Sequence, residues 1–290
     1  MHEEPPILAA GAILWDVLAR VPGPIARGGD LPGTVRRAPG GVATGVARAL
    51  ARGGAMVRLL GAVGAGDEGC ALLARLAGEG IDVSAVLRPE GARVDSYLAI
   101  EDAGGLVAAV AETTTLEAAG AAVLAPVLNG TARAPALIVD GNLPRPALAA
   151  LGRCPALPPL RLVPASPARA GALLALACRA GAVLHCNRAE AGAMLGHAAA
   201  TAPEAARALR RLGVSRALVT DGARAAALIG PDGMHIATPP PARPVRVTGA
   251  GDAALAGHLL AELGGARPDA ALAAALDAAH AHLLTKGDPA

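Results

Sequence analysis

A chain of 290 residues is long enough to bury a full α/β core as one domain. Its 53% hydrophobic content stems largely from alanines set between arginines and glycines, with no unbroken apolar run of membrane-spanning length. The formal charge of +2 is spread without a basic run, and one Trp, one Tyr and no Phe leave no platform for stacking bases, so a nucleic-acid polymer is excluded as a partner.

At the start, the acidic, proline-bearing MHEEPPILAAG lacks the basic stretch followed by an apolar one that a secretory signal needs, which points to a cytoplasmic protein. Short β-rich runs then alternate with alanine- and leucine-rich stretches. Strands are predicted near Ile7–Leu14, Met56–Val63, Ala136–Asp140, Arg161–Pro164, Ala182–Cys186, Arg216–Thr220 and Ala225–Ile229. Helices are predicted over Thr44–Arg52, Cys70–Gly78, Ala189–Leu195, Ala202–Leu212, Asp252–Leu263 and Pro268–Leu284, and they fill most of the remaining gaps. This rhythm predicts a mostly parallel sheet covered on both faces. Two stretches break it: Arg20–Pro39, full of Gly and Pro, and Ala92–Glu112, where SYLAIEDAGGLVAAVAE reads as a hairpin turning at Asp102–Gly105. Together they predict a small β lid, about residues 16–39 and 92–112, above the carboxyl ends of the parallel strands, where ligands bind in open α/β sheets. The proline-rich Thr238–Pro244 reads as a stiff connector. Cys70, Cys154, Cys178 and Cys186 are widely spaced, with no C-x-x-C pair and no histidine at ligand spacing, and are expected to be reduced core residues.

The most informative segment is Arg246-Val247-Thr248-Gly249-Ala250-Gly251-Asp252, a glycine turn running into a helix. Bare glycines let backbone N–H groups converge on an anion at the helix N-terminus, where the dipole also favours negative charge. Asp252 falls in the first helical turn beside that hole. There a carboxylate can take the proton of an attacking hydroxyl while the N–H groups of Gly249 and Gly251 hold a transferring phosphoryl. The structural alternative is that Asp252 caps its helix.

Gly64-Ala65-Gly66-Asp67-Glu68-Gly69 imitates a dinucleotide fingerprint, with Asp82 further along, but an earlier strand and helix precede it, and Asp67 capping the next helix is the alternative. No G-x-x-x-x-G-K-[ST] occurs, which excludes a P-loop mechanism. Gly40-Gly41-Val42-Ala43 opens a helix where a ligand can approach the backbone. Asn187-Arg188-Ala189-Glu190 has the form of a capping box. Thr220-Asp221-Gly222 and Asp140-Gly141-Asn142 read equally well as ordinary tight turns.

The order G-G-V-A at Gly40–Ala43, G-A-V-G-x-x-x-x-G at Gly61–Gly69, N-R-A-E at Asn187–Glu190, V-T-x-G at Val219–Gly222 and T-G-A-G-D at Thr248–Asp252 resembles that of the ribokinase-like (PfkB) carbohydrate kinases over nearly the whole chain. Within the family, VPGPIARGGDLPGTVRRAPGGVA and VDGNLP look most like the pseudouridine kinase branch, which phosphorylates a nucleoside 5′-hydroxyl. The resemblance implies a single three-layer α/β/α domain over residues 1–290, with a lid that doubles as a homodimer clasp and in-line transfer from MgATP to a sugar or nucleoside. It implies Asp252 as general base and Gly249, Ala250 and Gly251 as anion hole. Asn187 and Glu190 would organise Mg²⁺ and phosphates, Glu190 indirectly. Thr220, Gly222 and His280 would line the nucleotide site, and Asp16, Gly40, Gly41 and Asn142 the acceptor site.

Three departures stand out. The family's sugar-binding asparagine in G-G-x-x-x-N is Gly45, a common D-P pair reads Val163-Pro164, and the acid before T-x-G-A-G-D is Arg246. That acid commonly helps hold a monovalent cation. An arginine repels one: either its guanidinium substitutes for the cation, so that activity does not need potassium, or the side chain turns to solvent. A non-catalytic nucleoside- or nucleotide-binding relative of the same fold and a nicotinamide oxidoreductase using Gly64–Gly69 are the competing readings. ADP release and the identity of the heat-protecting ligand separate them.

Overall fold

Residues 5–243, 245 and 248–285 are described by a computed structural model of the chain. Its strands are β1 (Ile7–Ala10), β2 (Leu14–Arg20), β3 (Thr34–Gly40), β4 (Val57–Leu60), β5 (Ser96–Asp102), β6 (Gly105–Glu112), β7 (Leu137–Asp140), β8 (Leu160–Val163), β9 (Val183–Asn187), β10 (Ala217–Asp221), β11 (Arg224–Gly230) and β12 (Gly233–Ala237). The α-helices are α1 (Val42–Arg52), α2 (Asp67–Gly78), α3 (Thr114–Ala119), α4 (Ala125–Leu128), α5 (Arg145–Arg153), α6 (Pro167–Ala170), α7 (Leu174–Ala177), α8 (Arg188–Leu195), α9 (Ala202–Arg211), α10 (Ala250–Leu263) and α11 (Pro268–Leu284).

Eight strands form the main sheet in the order β12-β11-β10-β9-β8-β7-β1-β4. Pairing is parallel from β4 through β10, and only the β10–β11 and β11–β12 pairs are antiparallel, so β11 alone runs against the rest. Successive β1 side chains go to opposite cores: Leu8 and Ala10 pack with α5, α8 and α9, while Ile7 and Ala9 pack with α1, α2 and α10. The period-2 geometry of a strand thus buries both faces and produces three layers. Against β10 and β11, α11 adds Leu272, Ala275 and Leu276. It lies close to α10 because Gly257 lacks a side chain: a Cβ there would come within 2.6 Å of the Ala274 carbonyl oxygen.

The predicted strand Ile7–Leu14 divides. β1 ends at Ala10, and β2 begins at Leu14 in a different sheet. At the break, the Gly11 Cα lies against the Asp140 side chain, which leaves no room for a Cβ. The two irregular stretches do form a four-stranded second sheet, β3-β2-β5-β6. Its β5–β6 hairpin pairs Asp102 with Gly105, and the Asp102 Oδ1 accepts the Gly104 N–H at 2.7 Å. Arg37 of β3 stacks over Trp15, 4.4 Å from the ring centroid, and pairs with Glu68 of α2, so this sheet is tied to the main layers.

Other expectations change. Asp67 does not cap α2: the N-cap is Gly66, and Asp67 and Glu68 occupy the first turn, where the dipole favours them. Of the cysteines, only Cys186 is buried. Cys70 and Cys178 are exposed and Cys154 is intermediate, all four free, so the uniform core reading fails for three of them. Among the described residues, no helix is long and apolar enough to cross a membrane.

Candidate active site

β1 is flanked by β4 on one side and β7 on the other, so the chain reverses its direction of sheet growth there and opens a crevice at the carboxyl ends. Asp140, at the end of β7, fastens the floor of that crevice. It is fully buried, its Oδ2 accepts the N–H groups of Ala12 and Ala43 at 3.0 and 3.2 Å, and its Oδ1 accepts the Asn142 N–H at 2.8 Å. Burial pushes its carboxyl upward against those three bonds. Asp140 was read only as part of an ambiguous turn. It is instead the side chain that joins β1, β7 and the start of α1, and only its strand-end position hinted at this.

On the proposed acceptor side, Asp16 of β2 is half-buried and its carboxylate lies directly on Gly40, whose missing Cβ makes the space. Gly41 is the N-cap of α1 with φ 93°, in the left-handed region, and packs on the Ala12 carbonyl. Asn142 is half-buried beside this turn. Asp16, Gly40, Gly41 and Asn142 thus gather around the start of α1, linked through Ala12, Ala43 and Asp140.

On the proposed nucleotide side, Asn187 and Thr220 end neighbouring parallel strands and are Cα partners in the ladder. Asn187 and Glu190 complete a reciprocal capping box at α8: Asn187 Oδ1 accepts the Glu190 N–H and Glu190 Oε2 accepts the Asn187 N–H, both at 2.9 Å. Burial pushes the Glu190 carboxyl up. Gly222 turns β10 into β11. Beside it the Asp221 carboxylate receives Arg224 at 2.8 Å and Arg188 at 2.9 Å, which hold it below the usual carboxylate range. Among the described residues, no three His, Cys, Asp or Glu side chains converge as a metal cage. The donor set, one buried carboxylate already engaged in a cap, suits a Mg²⁺ carried on substrate phosphates better than a resident metal.

The glycine turn Thr248–Gly251 follows all of these groups in the sequence and opens α10. Gly249 is its N-cap at φ 93° with no side-chain cap, so the first N–H groups of α10 keep no intrahelical acceptor. Gly251 is exposed with nothing near its Cα, and Asp252 stands half-buried in the same turn. A histidine the sequence reading passed over supports this turn: His282 Nε2 lies 2.8 Å from the Thr248 carbonyl oxygen, and its ring fills the space where a Cβ on Gly249 would go. His280, two residues earlier on α11, is about 200° away around the helix, and its Nδ1 is buried without a hydrogen-bond partner. Arg246 lies outside the described residues.

The Gly64–Gly69 loop is explained by packing. Gly64 touches the Ala92 carbonyl and Gly69 the Gly64 carbonyl, with no room for a Cβ at either. Asp82 is occupied by Arg58 at 2.5 Å and by the Ser84 N–H at 2.9 Å.

The architecture is ribokinase-like. It superposes on a ribokinase from Arabidopsis thaliana, solved with ribose and ATP, with a TM-score of 0.78 at 19% identity over 98% of this chain and 94% of that one. The ribokinase from Thermotoga maritima gives 0.80 at 17% identity over 97% and 94%. A carbohydrate kinase from Agrobacterium tumefaciens is 30% identical over 95% of this chain and 89% of its own, with a TM-score of 0.77. No curated protein matches the sequence. Residues 6–289 match the pfkB family carbohydrate kinase model, and the chain belongs to that family. It is a phosphotransferase acting on a sugar hydroxyl, and the nicotinamide reading of Gly64–Gly69 falls with that result.

Proposed function

We propose that the chain transfers the γ-phosphoryl of ATP to the 5′-hydroxyl of a nucleoside, with pseudouridine as the best candidate. The observation that carries the chemistry is a capless helix N-terminus, exposed at Gly251, with one half-buried carboxylate in its first turn. The acceptor oxygen forms the new bond to the γ-phosphorus, the bond from that phosphorus to the β–γ bridging oxygen breaks, and ADP leaves. The acceptor's proton passes to the Asp252 carboxylate, and the N–H groups of Gly249, Ala250 and Gly251 hold the charge on the transferring phosphoryl.

Asp16, Gly40, Gly41 and Asn142 face the acceptor in this reading. Asn187, Thr220, Gly222 and His280 serve the nucleotide. Mg²⁺ supplies charge neutralisation on the phosphates, and Glu190 acts on it only indirectly, by fixing Asn187. The second sheet acts as the lid of a single domain and as the surface of a homodimer. What supports the nucleoside acceptor is the likeness of VPGPIARGGDLPGTVRRAPGGVA and VDGNLP to the pseudouridine kinase branch.

Asp252→Asn is expected to lower kcat by about 10²–10⁴-fold while equilibrium ATP binding persists. Wild-type turnover in that variant would remove Asp252 as the base. An ADP-release panel is expected to rank pseudouridine above other nucleosides and free sugars, and a free sugar ranked above every nucleoside would displace it. With Arg246 in place of the cation-binding acid, the rate in choline buffer is expected to equal that in potassium, and several-fold potassium stimulation would refute this.

A further inference from the structure

The segment that leads into α10 is fastened from behind by the last turn of α11. His282 Nε2 lies 2.8 Å from the Thr248 carbonyl oxygen, and the next residue, Leu283, accepts the Val245 N–H on its own carbonyl oxygen at 2.8 Å. That last turn is itself closed: Thr285 donates its N–H to the His282 carbonyl oxygen at 3.2 Å and its hydroxyl to the Ala281 carbonyl oxygen at 2.9 Å. Two consecutive residues of one helix therefore grip the approach to α10 at two points.

The His282 contact reaches the proposed anion hole through a single peptide unit. A carbonyl oxygen only accepts, so the Nε2 facing it carries a proton. The Thr248 C=O and the Gly249 N–H belong to one planar trans peptide and point in opposite directions. Drawing the oxygen toward His282 turns the Gly249 N–H away from α11, and a donor on the carbonyl polarises the peptide so that this N–H donates more strongly in turn. The imidazole ring fixes the other side of the residue. A Cβ on Gly249 would come within 2.9 Å of the ring's Cε1 and Nε2, so the ring lies against a bare Cα.

We infer that His282 is a positioning residue for the anion hole: its Nε2–H orients the peptide between Thr248 and Gly249, its ring seats Gly249, and the Gly249 N–H is thereby presented to the transferring phosphoryl. This rests on the Gly249–Gly251 turn being the anion hole. His282 acts through the backbone, so its loss weakens charge stabilisation during transfer more than it weakens nucleotide binding.

The test is a pair of substitutions read against Asp252→Asn. His282→Phe keeps a ring against Gly249 and removes the donor, whereas His282→Gln returns an N–H at the reach of Nε2. His282→Phe is expected to hold the melting temperature within about 2 °C, to change KM for ATP by less than about twofold and to lower kcat by about tenfold or more, a part of the about 10²–10³-fold that outright loss of such a donor costs. His282→Gln is expected to recover most of that kcat. A role confined to packing predicts the reverse, Phe active and Gln impaired, and that result, or an equal loss of kcat in both, would overturn the proposal. If His282→Phe keeps kcat while Asp252→Asn is inactive, the clamp is wrong and the catalytic reading stands; an active Asp252→Asn removes that reading itself. Should His282→Phe fail to fold, NMR of the imidazole nitrogens in the wild-type chain decides, with the His282 signals assigned by their absence from His282→Gln. A protonated Nε2 is expected there, and a bare one would overturn the proposal.

Discussion

Asp140 shows how much one side chain carries. Its two oxygens accept three backbone N–H groups from three segments, those of Ala12 and Ala43 buried, and an unsatisfied buried donor costs about 1–3 kcal/mol. Asp140→Asn keeps the shape but turns an amide NH₂ toward a backbone N–H, so it is expected to lower stability by about 1–3 kcal/mol in urea unfolding. A change under 0.5 kcal/mol would show that the oxygens are replaceable. The sequence reading placed this residue at a strand end without recognising its role, because its partners lie 128 and 97 positions away in the chain. Gly40 and Gly41 were legible for the opposite reason: adjacent glycines before a helix announce close approach locally. His282 escaped because nothing in an alanine-rich helix distinguishes it from His280 except the turn it meets in space. Ala165, just past β8, adopts φ 67°, unusual for a residue with a side chain, and no local pattern announced it.

Among the elements, α10 joins two environments. Its first turn carries Asp252, and its later turns carry His258 and Glu262 into a buried cluster with Arg161 of β8, His185 of β9 and Arg216. Arg161 Nη1 lies 2.6 Å from Glu262 Oε2, though not aligned for a hydrogen bond. The His185 and His258 rings meet edge-on with centroids 5.1 Å apart, and none of their four nitrogens has a hydrogen-bond partner. Burial pushes His258 down to about 4, against the attraction of Glu262 and with repulsion from Arg161 and Arg216. Burial drives His185 down as well, helped by His258 and the same arginines.

A depressed histidine binds its proton in the unfolded chain first. Stability is therefore complete above the ordinary value of 6.5 and falls as the pH drops from there toward 4. For His258 the loss amounts to about 3 kcal/mol across that window, with His185 acting in the same direction. Urea midpoints are expected to be lower at pH 5 than at pH 7.5, and His258→Leu is expected to shrink the difference; an equal pH dependence in the variant would refute the assignment. None of this was readable beforehand, since charged residues inside strands and helices reveal nothing about one another until the sheet is ordered. The element types themselves were readable. Alanine-rich helices and β-rich strands follow local periodicity, and the β5–β6 hairpin followed from its turn. β1 and β2 merged in the reading because an apolar run continues through Gly11, and β12 was missed because its residues alternate only weakly.

For the whole molecule, the covered sheet followed from the alternation of elements and the second sheet from the two stretches that break it, whereas strand order did not, since long crossovers leave no local trace. A nucleotide in the proposed site, between the ends of β9 and β10 and the start of α10, would bridge segments far apart in sequence, so MgATP binding is expected to be linked to global unfolding. At a free concentration of about 100 times its Kd, MgATP is expected to add about 2.7 kcal/mol. Thermal melts with MgATP and with NAD⁺ check this: only the former should raise the midpoint, and no rise with MgATP would contradict a nucleotide site there.

The position of β1 between β7 and β4 in the main sheet has a consequence for synthesis. It precedes the other described strands in the chain, yet its partner β7 comes some 130 residues later, and the turn before Asp252 later still. Until then the nascent chain holds only part of the proposed acceptor site and lacks the proposed base. With Asp252 as the proposed base, phosphate transfer becomes available only once that turn has been made, so a product that stops short of it is expected to be inert.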